Sequence, residues 1–555
     1  MQRSSPPAPA PSGPARRFLS RALDPRFALP ALLLVAAVLL FTGLDDRYLW
    51  DDEAETALLA RRIQAIGLPI AHDGRDLISQ GCGLDADRNY LWAFHPWLPM
   101  YLTAGSFALL GESTFTARLP FALLGFASVL SLYFVAQRVS GDRRVALLAC
   151  AFLTASVPFL LHARQSRYYA ISVFAAVWML HCFVTTIEGR RSGVVGLVLA
   201  STAMFHANHG LFLGTFGALT VAYMLVFRPP LAAIARIAVA GAATLALNAT
   251  WLVIYGGAWI VSFGAGPPKT IGYVAWKYWQ RNVAHFQSVD FFFIGSAIVA
   301  VFLVWLAVEG RRLVADSRAL RLPLFLTVFM AAYVMHVAVF PFTFIRYLLG
   351  LLPAVAILQA WIVTTLGRRR PVLGAILLVL ALGTDVFYGW PSEPRVKLRR
   401  GFWSPLLAYV EEIATDYDGP IETMVRYLQA NARAGETVYI TYGDLPLRFY
   451  TDLEVRGGNT CERPFAVPPD WIVIRHFFRF KTPTPGVNED AVRTREYVDR
   501  EIPWAEYERI ELPVRDIVWD SIPEPQMHHF RPPPDNAPVP RLVLYHRVKG
   551  RAPAG

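Results

Sequence analysis

Apolar runs of about 20 residues recur from Phe27 to roughly residue 390, and each can cross about 30 Å of hydrocarbon as one helix. Hydrophobic residues make up 54% of the 555-residue chain and charged residues 17%, too apolar a balance for a soluble protein. The runs lie at about 27–44, 118–137, 145–161, 168–187, 193–207, 211–227, 236–255, 291–308, 322–340, 346–366 and 371–390. They predict a polytopic α-helical membrane protein with about 11 spans. A further apolar piece, 97–111, is short and opens on His95-Pro96-Trp97-Leu98-Pro99. Residues 1–26 are rich in Pro, Ala and Ser with scattered Arg, the composition of a disordered tail, here expected to be cytoplasmic.

The arginines orient the spans. If 97–111 does not cross, nineteen basic residues fall on the tail side and six in the short loops of the other face. Letting it cross would reverse most of that bias, against the excess of Lys and Arg that cytoplasmic loops carry. Segment 97–111 therefore reads as an interfacial helix. The net charge of +11 thus reports topology. No basic tract interleaved with aromatics marks a nucleic-acid surface, so membrane lipids are the expected surroundings.

The transmembrane domain is read as 27–390, with an outer loop 45–96 and juxtamembrane helices over 53–66 and 97–111. From 391 to 555 the composition turns Pro-rich and charged. Residues 436–442 and 470–474 read as strands and 421–432 as a helix, which makes this a small extracytoplasmic α/β domain. Residues 523–540 read as a Pro-rich extended arm.

Polar residues gather on the outer side. Asp51, Asp52 and Glu53 follow the first span, and a carboxylate at the bilayer centre costs about 2.5–3.5 kcal/mol, so all three belong at or outside the interface. Three other loops supply cations and hydroxyls: His162 to Tyr169 with Arg164, Arg167, Tyr168 and Tyr169; His206 to His209; and Arg346-Tyr347. Arginine can grip a phosphate in a bidentate fork, and a nearby carboxylate can take a proton from an acceptor hydroxyl. Together these make a group transfer from a lipid phosphate. The same arginines can also act as anchors that snorkel to headgroups, and the histidines as helix caps. His206-x-x-His209 alone is weak evidence for a metal.

In order along the chain, Asp52-Glu53-Ala54 with Ala60-Arg61, His95-Pro96-Trp97-Leu98-Pro99, Ala117-Arg118-Leu119-Pro120, Arg167-Tyr168-Tyr169-Ala170 and Arg346-Tyr347-Leu348-Leu349 with Leu352-Pro353 form a set. The set resembles the GT-C superfamily of membrane glycosyltransferases, and within it the bacterial relatives of protein O-mannosyltransferases and of the lipid A aminoarabinose transferase. The resemblance spans about 45–390. It implies transfer of a monosaccharide from a polyprenyl-phosphate donor to a glycan, lipid or protein acceptor at a bacterial inner membrane. It also implies Asp52 as base, Glu53 as its neighbour, and Arg167 with Arg346 as phosphate binders. Around these, Arg164, Tyr168, Tyr169 and Tyr347 complete the expected donor side, and His95, His206 and His209 the acceptor or sugar side. The acidic pair of the metal-dependent relatives is missing between 158 and 169, so no metal or other cofactor is expected.

A flippase for polyprenyl-linked lipids is the alternative, and a scaffold acting through its C-terminal domain is a third reading. A flippase calls for polar residues deep in several spans and for internal repeats. The spans here are mostly clean, with Asn248 and Gln359 the main exceptions. Cys150 and Cys182 fall inside apolar runs. Cys82 and Cys461 fall in polar segments on the outer side, where an oxidising compartment favours a disulfide between them.

Overall fold

In the computed structural model, the described residues are 25–81, 83–254, 270–292, 302–308, 320–340, 343–384, 404–458, 465–476, 496–517, 522–524, 528–534 and 536–548. Cys82 and Cys461, and with them the expected disulfide, lie outside these residues. Cys150 and Cys182 are free thiols buried in helices.

Local chemistry sets the helix limits. The long helix Thr114–Ser140 starts at a capping box, in which the Ser113 hydroxyl accepts from Thr116 N at 3.1 Å. It stops at Gly141, whose φ of +67° a side chain would strain. At 1.5 Å per residue it is about 40 Å long, enough to cross a bilayer. Tyr169–Ile187, His209–Phe227 and the continuous stretch Ile345–Arg369 are also long and apolar enough to cross. The run expected over 145–161 is instead two helices, Arg143–Thr154 and Val157–Ala163, bent by 63°. Pro158 explains the break. It lacks the N–H a continuing helix needs, yet suits the first turn of a new one.

Among the described residues there are four such spans, or five counting the bent pair, and eleven runs are read from the whole sequence. The other apolar helices are shorter. Pro25–Phe41, Arg321–Val337 and Leu231–Leu247 have 17 residues each and Pro371–Gly383 has 13. The runs 236–255, 291–308 and 371–390 extend into residues outside the described set. Leu98–Leu110, at 13 residues, is too short to span. It lies on helix Asp51–Ile66, with Tyr101 donating to the Gly67 carbonyl at 2.8 Å, and leaves Leu109 and Leu110 exposed.

The molecule is a multi-helical membrane protein with a mixed sheet region at its C-terminal end. The sheet strands, β1 to β5, are Thr437–Ile440, Glu454–Gly457, Trp471–Val473, Tyr507–Arg515 and Arg541–Arg547. They run in the order β2-β1-β3-β5-β4, with β2-β1-β3 parallel and the two pairs made by β5 antiparallel. Helix Pro420–Asn431 buries Ile421, Met424, Val425 and Leu428 against Val438, Ile440 and Trp471, one face at helical spacing. The expected strands and helix thus lie within a residue or two of their sequence positions at most ends.

A short helix of this region, Asp444–Tyr450, docks onto the first loop. Tyr450 accepts from Leu49 N at 2.9 Å and meets Thr114 Oγ1 at 2.6 Å. Arg61 donates to the Phe449 carbonyl at 2.8 Å. These contacts fix the sheet region against the end of the helical bundle that carries Asp52.

Candidate active site

Helix Asp51–Ile66 begins two residues earlier than its sequence reading, with Trp50 at the cap. Its first turn carries Asp51, Asp52 and Glu53, and the nearby backbone N–H groups favour negative charge there. Successive residues of a helix point about 100° apart, so each acid has its own surroundings.

Asp52 meets the cations. Its Oδ2 accepts from Arg346 Nη1 at 2.8 Å and lies 3.6 Å from Arg167 Nη2. Arg167 also donates to the Asp52 carbonyl at 3.0 Å and to Glu55 Oε1 at 2.7 Å. Its Nε is buried with no hydrogen-bond partner among the described residues. Arg346 lies over the Phe344 ring at 4.1 Å and reaches the Tyr169 hydroxyl at 3.3 Å. One carboxylate thus holds two guanidiniums delivered by separate segments of chain.

Glu53 turns elsewhere. It pairs with Arg118 through two hydrogen bonds, of 2.8 and 2.6 Å, and accepts from Ser166 N at 2.9 Å. Arg118 gives its remaining donors to the carbonyls of Leu44, Arg47 and Tyr48. The pair ties three segments of chain together behind the site.

Asp51 faces the sheet region. It is buried, and neither carboxylate oxygen has a well-aligned hydrogen bond. Burial, then the charge of Asp444, push its carboxyl up to about 8. Such a group carries a proton in the fold that the unfolded chain has released. Its contribution to stability is complete below about pH 4 and declines as pH rises towards 8. Asp51→Asn should therefore raise the unfolding temperature, and the gain should grow from pH 5 to pH 8.5. A gain that does not change with pH would contradict this.

The aromatic side is built from the loop before helix Leu98–Leu110 and from the start of helix Tyr169–Ile187. Tyr168 packs edge-on to Tyr169 at 4.7 Å, and its ring lies 6.2 Å from His95. Burial and the charge of Arg167 hold the His95 imidazole well below its usual range, so it is neutral. His209 and Tyr347 stand at the edge of this group, close enough to act electrostatically on His95 and on Arg346 respectively. His206 lies further out, edge-on to Trp251 at 5.3 Å. Arg164 is on another side of the loop, where it donates to Tyr409 at 2.8 Å and to the Thr42 carbonyl at 2.7 Å. It lines a separate polar cleft with Arg47, Glu412 and His528.

Two carboxylates in the group were not singled out in the sequence. Glu55 is three residues after Asp52, on the same helical face, so spacing alone could have found it. Burial lifts its carboxyl to about 7 despite Arg167. Glu524 comes from the C-terminal arm and accepts from Ile345 N at 3.0 Å. Among the described residues, no three His, Cys, Asp or Glu side chains form a group that could hold a metal ion.

Residues 94–255, which carry His95, Arg167, Tyr168, Tyr169, His206 and His209, match the family model described as dolichyl-phosphate-mannose-protein mannosyltransferase. The matched segment is under a third of the chain. No curated protein sequence matches this chain. Among solved structures it is similar to ArnT from Cupriavidus metallidurans bound to undecaprenyl phosphate, at 16% identity and a TM-score of 0.51, covering 93% of this chain and 97% of that one. The apo state of the same ArnT gives 15% identity, a TM-score of 0.51 and the same coverage. An oligosaccharyltransferase from Archaeoglobus fulgidus, in complex with Zn and sulfate, gives 13% identity and a TM-score of 0.45 over 81% of this chain and 68% of that one. At such identities the likeness to ArnT is one of fold.

Proposed function

We propose that this protein is a glycosyltransferase that moves one sugar from a polyprenyl-phosphate donor to an acceptor on the outer face of a plasma membrane, a bacterial inner membrane. The observation that carries the reading is the single carboxylate of Asp52 between the guanidiniums of Arg167 and Arg346. The undecaprenyl phosphate held by ArnT, which shares the fold, supports a polyprenyl phosphate as the leaving group.

In the proposed reaction the phosphate of the donor draws the Nη groups of Arg346 and Arg167 away from Asp52. Tyr168, Tyr169 and Tyr347 add neutral donors around it. Asp52, released from its ion pairs, takes the proton of the acceptor hydroxyl. The acceptor oxygen forms its bond to the sugar C1 as the C1–O bond to phosphate breaks, and the departing charge collects between the two arginines. Glu53 acts through Arg118, keeping the helix start in register. Neutral His95, with His209 beyond it, suits the sugar or acceptor side, and His206 lies further along the same side. Arg164 serves the donor side at most from a distance, through the segment it shares with Arg167.

Charge-assisted forks to phosphate are strong and geometrically specific. Arg167→Ala and Arg346→Ala should each weaken donor use by at least about tenfold, and Lys should restore only part, because a point charge lacks the fork. Equal behaviour of the Lys and Ala variants would point to a structural role. Reconstituted protein should convert a labelled polyprenyl-phosphate sugar to free polyprenyl phosphate when envelope glycans are supplied. Cells lacking the gene should accumulate the lipid-linked sugar. An unchanged lipid-linked pool and unchanged envelope glycans would contradict the reading.

The proposal includes eleven spans, an extracytoplasmic 391–555 and a cytoplasmic tail. Single cysteines in 112–117 should then react with an impermeant thiol reagent from outside, and those in 188–193 should not. Labelling of 188–193 from outside would overturn this topology.

A further inference from the structure

Glu524 is only 1% exposed, and two things about it are unusual. Its Oε2 accepts from the backbone N–H of Ile345, the first residue of the helical stretch Ile345–Arg369, so an acid from far along the chain caps a helix whose own cap residue, Phe344, supplies no side-chain capping hydrogen bond. Its Oε1 has no well-aligned hydrogen bond among the described residues and lies 3.9 Å from Arg346 Nε. Arg346 is therefore held along two edges. Asp52 takes Nη1 at 2.8 Å, and Glu524 stands at Nε. The arm itself is pinned nearby. His528 N donates to the Glu524 carbonyl at 2.9 Å, and the His528 ring meets Glu412 Oε2 at 2.8 Å. Tyr417 donates to the His529 carbonyl at 2.8 Å.

We propose that Glu524 is a positioning residue: by capping Ile345 and bordering Nε it fixes where the fork of Arg346 points, so that phosphate binding depends on the C-terminal arm being docked. Asp52 cannot do this during the reaction, because its hold on Arg346 has to break when the phosphate arrives. Glu524 does not touch the reacting atoms and keeps its grip on the backbone throughout. The proposal rests on Arg346 being a phosphate binder.

Charge and position make opposite demands at this site, and that separates them. Removing a negative charge beside an arginine strengthens its attraction for phosphate, whereas removing a cap loosens the arginine. Glu524→Gln loses the charge but keeps an oxygen for the Ile345 N–H. Glu524→Ala loses both. The test is the affinity of the full-length protein in nanodiscs for undecaprenyl phosphate, with Arg346→Ala alongside. The expected order is Gln equal to or tighter than the native protein, and Ala weaker by about tenfold, the scale of one lost hydrogen bond of this kind. Wild-type affinity in Glu524→Ala overturns the proposal, as does a loss in Glu524→Gln as large as that of Arg346→Ala. The Gln variant, which retains the cap, keeps the test decisive if the Ala variant fails to fold. A native protein that does not bind the lipid would instead refute the function from which the proposal starts.

Discussion

Asp52→Asn should lower sugar transfer by about 10²–10⁴, the usual cost of removing a positioned acid–base group, while leaving expression and fold intact. Asparagine has the same shape and can still meet Arg346, so the ion pairs soften and do not collapse. What is lost is the ability to accept a proton. The companion variant Asp51→Asn should retain turnover, because Asp51 faces the sheet region and touches neither guanidinium. Loss of activity in Asp51→Asn with activity retained in Asp52→Asn would reverse the assignment.

Arg118→Ala should be the most destabilising single change near the site. It strands Glu53, which is 0% exposed, and removes the donors serving three backbone carbonyls. Breaking a buried pair by deleting one partner costs about 3–5 kcal/mol, because the remaining charge has no water to turn to. Replacing both partners by apolar residues, as in Glu53→Leu with Arg118→Met, should cost less than Arg118→Ala alone. Unfolding in detergent, followed by tryptophan fluorescence, gives the comparison. An Arg118→Ala protein within about 0.5 kcal/mol of native, the range of ordinary surface changes, would show that the pair is not structural.

Much of this arrangement was legible in the amino-acid sequence because it is written locally. Apolar runs, the proline-led short segment at 97–111 and the alternating strands near 438 and 472 need only neighbours in the chain to be read. The acids after the first span and the Arg-Tyr pairs at 167 and 346 were visible as residue types suited to phosphate and proton chemistry. The phase of a helix was not visible. Asp51, Asp52 and Glu53 look alike in sequence, and only the docking of helix Asp51–Ile66 against Arg118, Arg346 and Asp444 gives each its own neighbour. Arg164 and Arg167 are likewise three residues apart, yet the turn between helices Val157–Ala163 and Tyr169–Ile187 sends one to Tyr409 and the other to Asp52. The bend before Pro158 breaks a run whose hydropathy is continuous. Glu524 carried no signal at all, since its partner Ile345 lies far away in the chain and no periodicity surrounds it.

The claim at the centre is that Arg167 and Arg346 hold the donor phosphate while Asp52 does the proton chemistry. One set of binding isotherms separates these roles: undecaprenyl phosphate titrated against native, Asp52→Asn, Arg167→Ala and Arg346→Ala proteins in nanodiscs. The expected result is that Asp52→Asn binds at least as tightly as the native protein, having lost a competing carboxylate, although it does not turn over, and that both arginine variants lose affinity by about tenfold or more. Arginine variants that bind as well as the native protein, or an Asp52→Asn protein that loses binding along with turnover, would contradict the account.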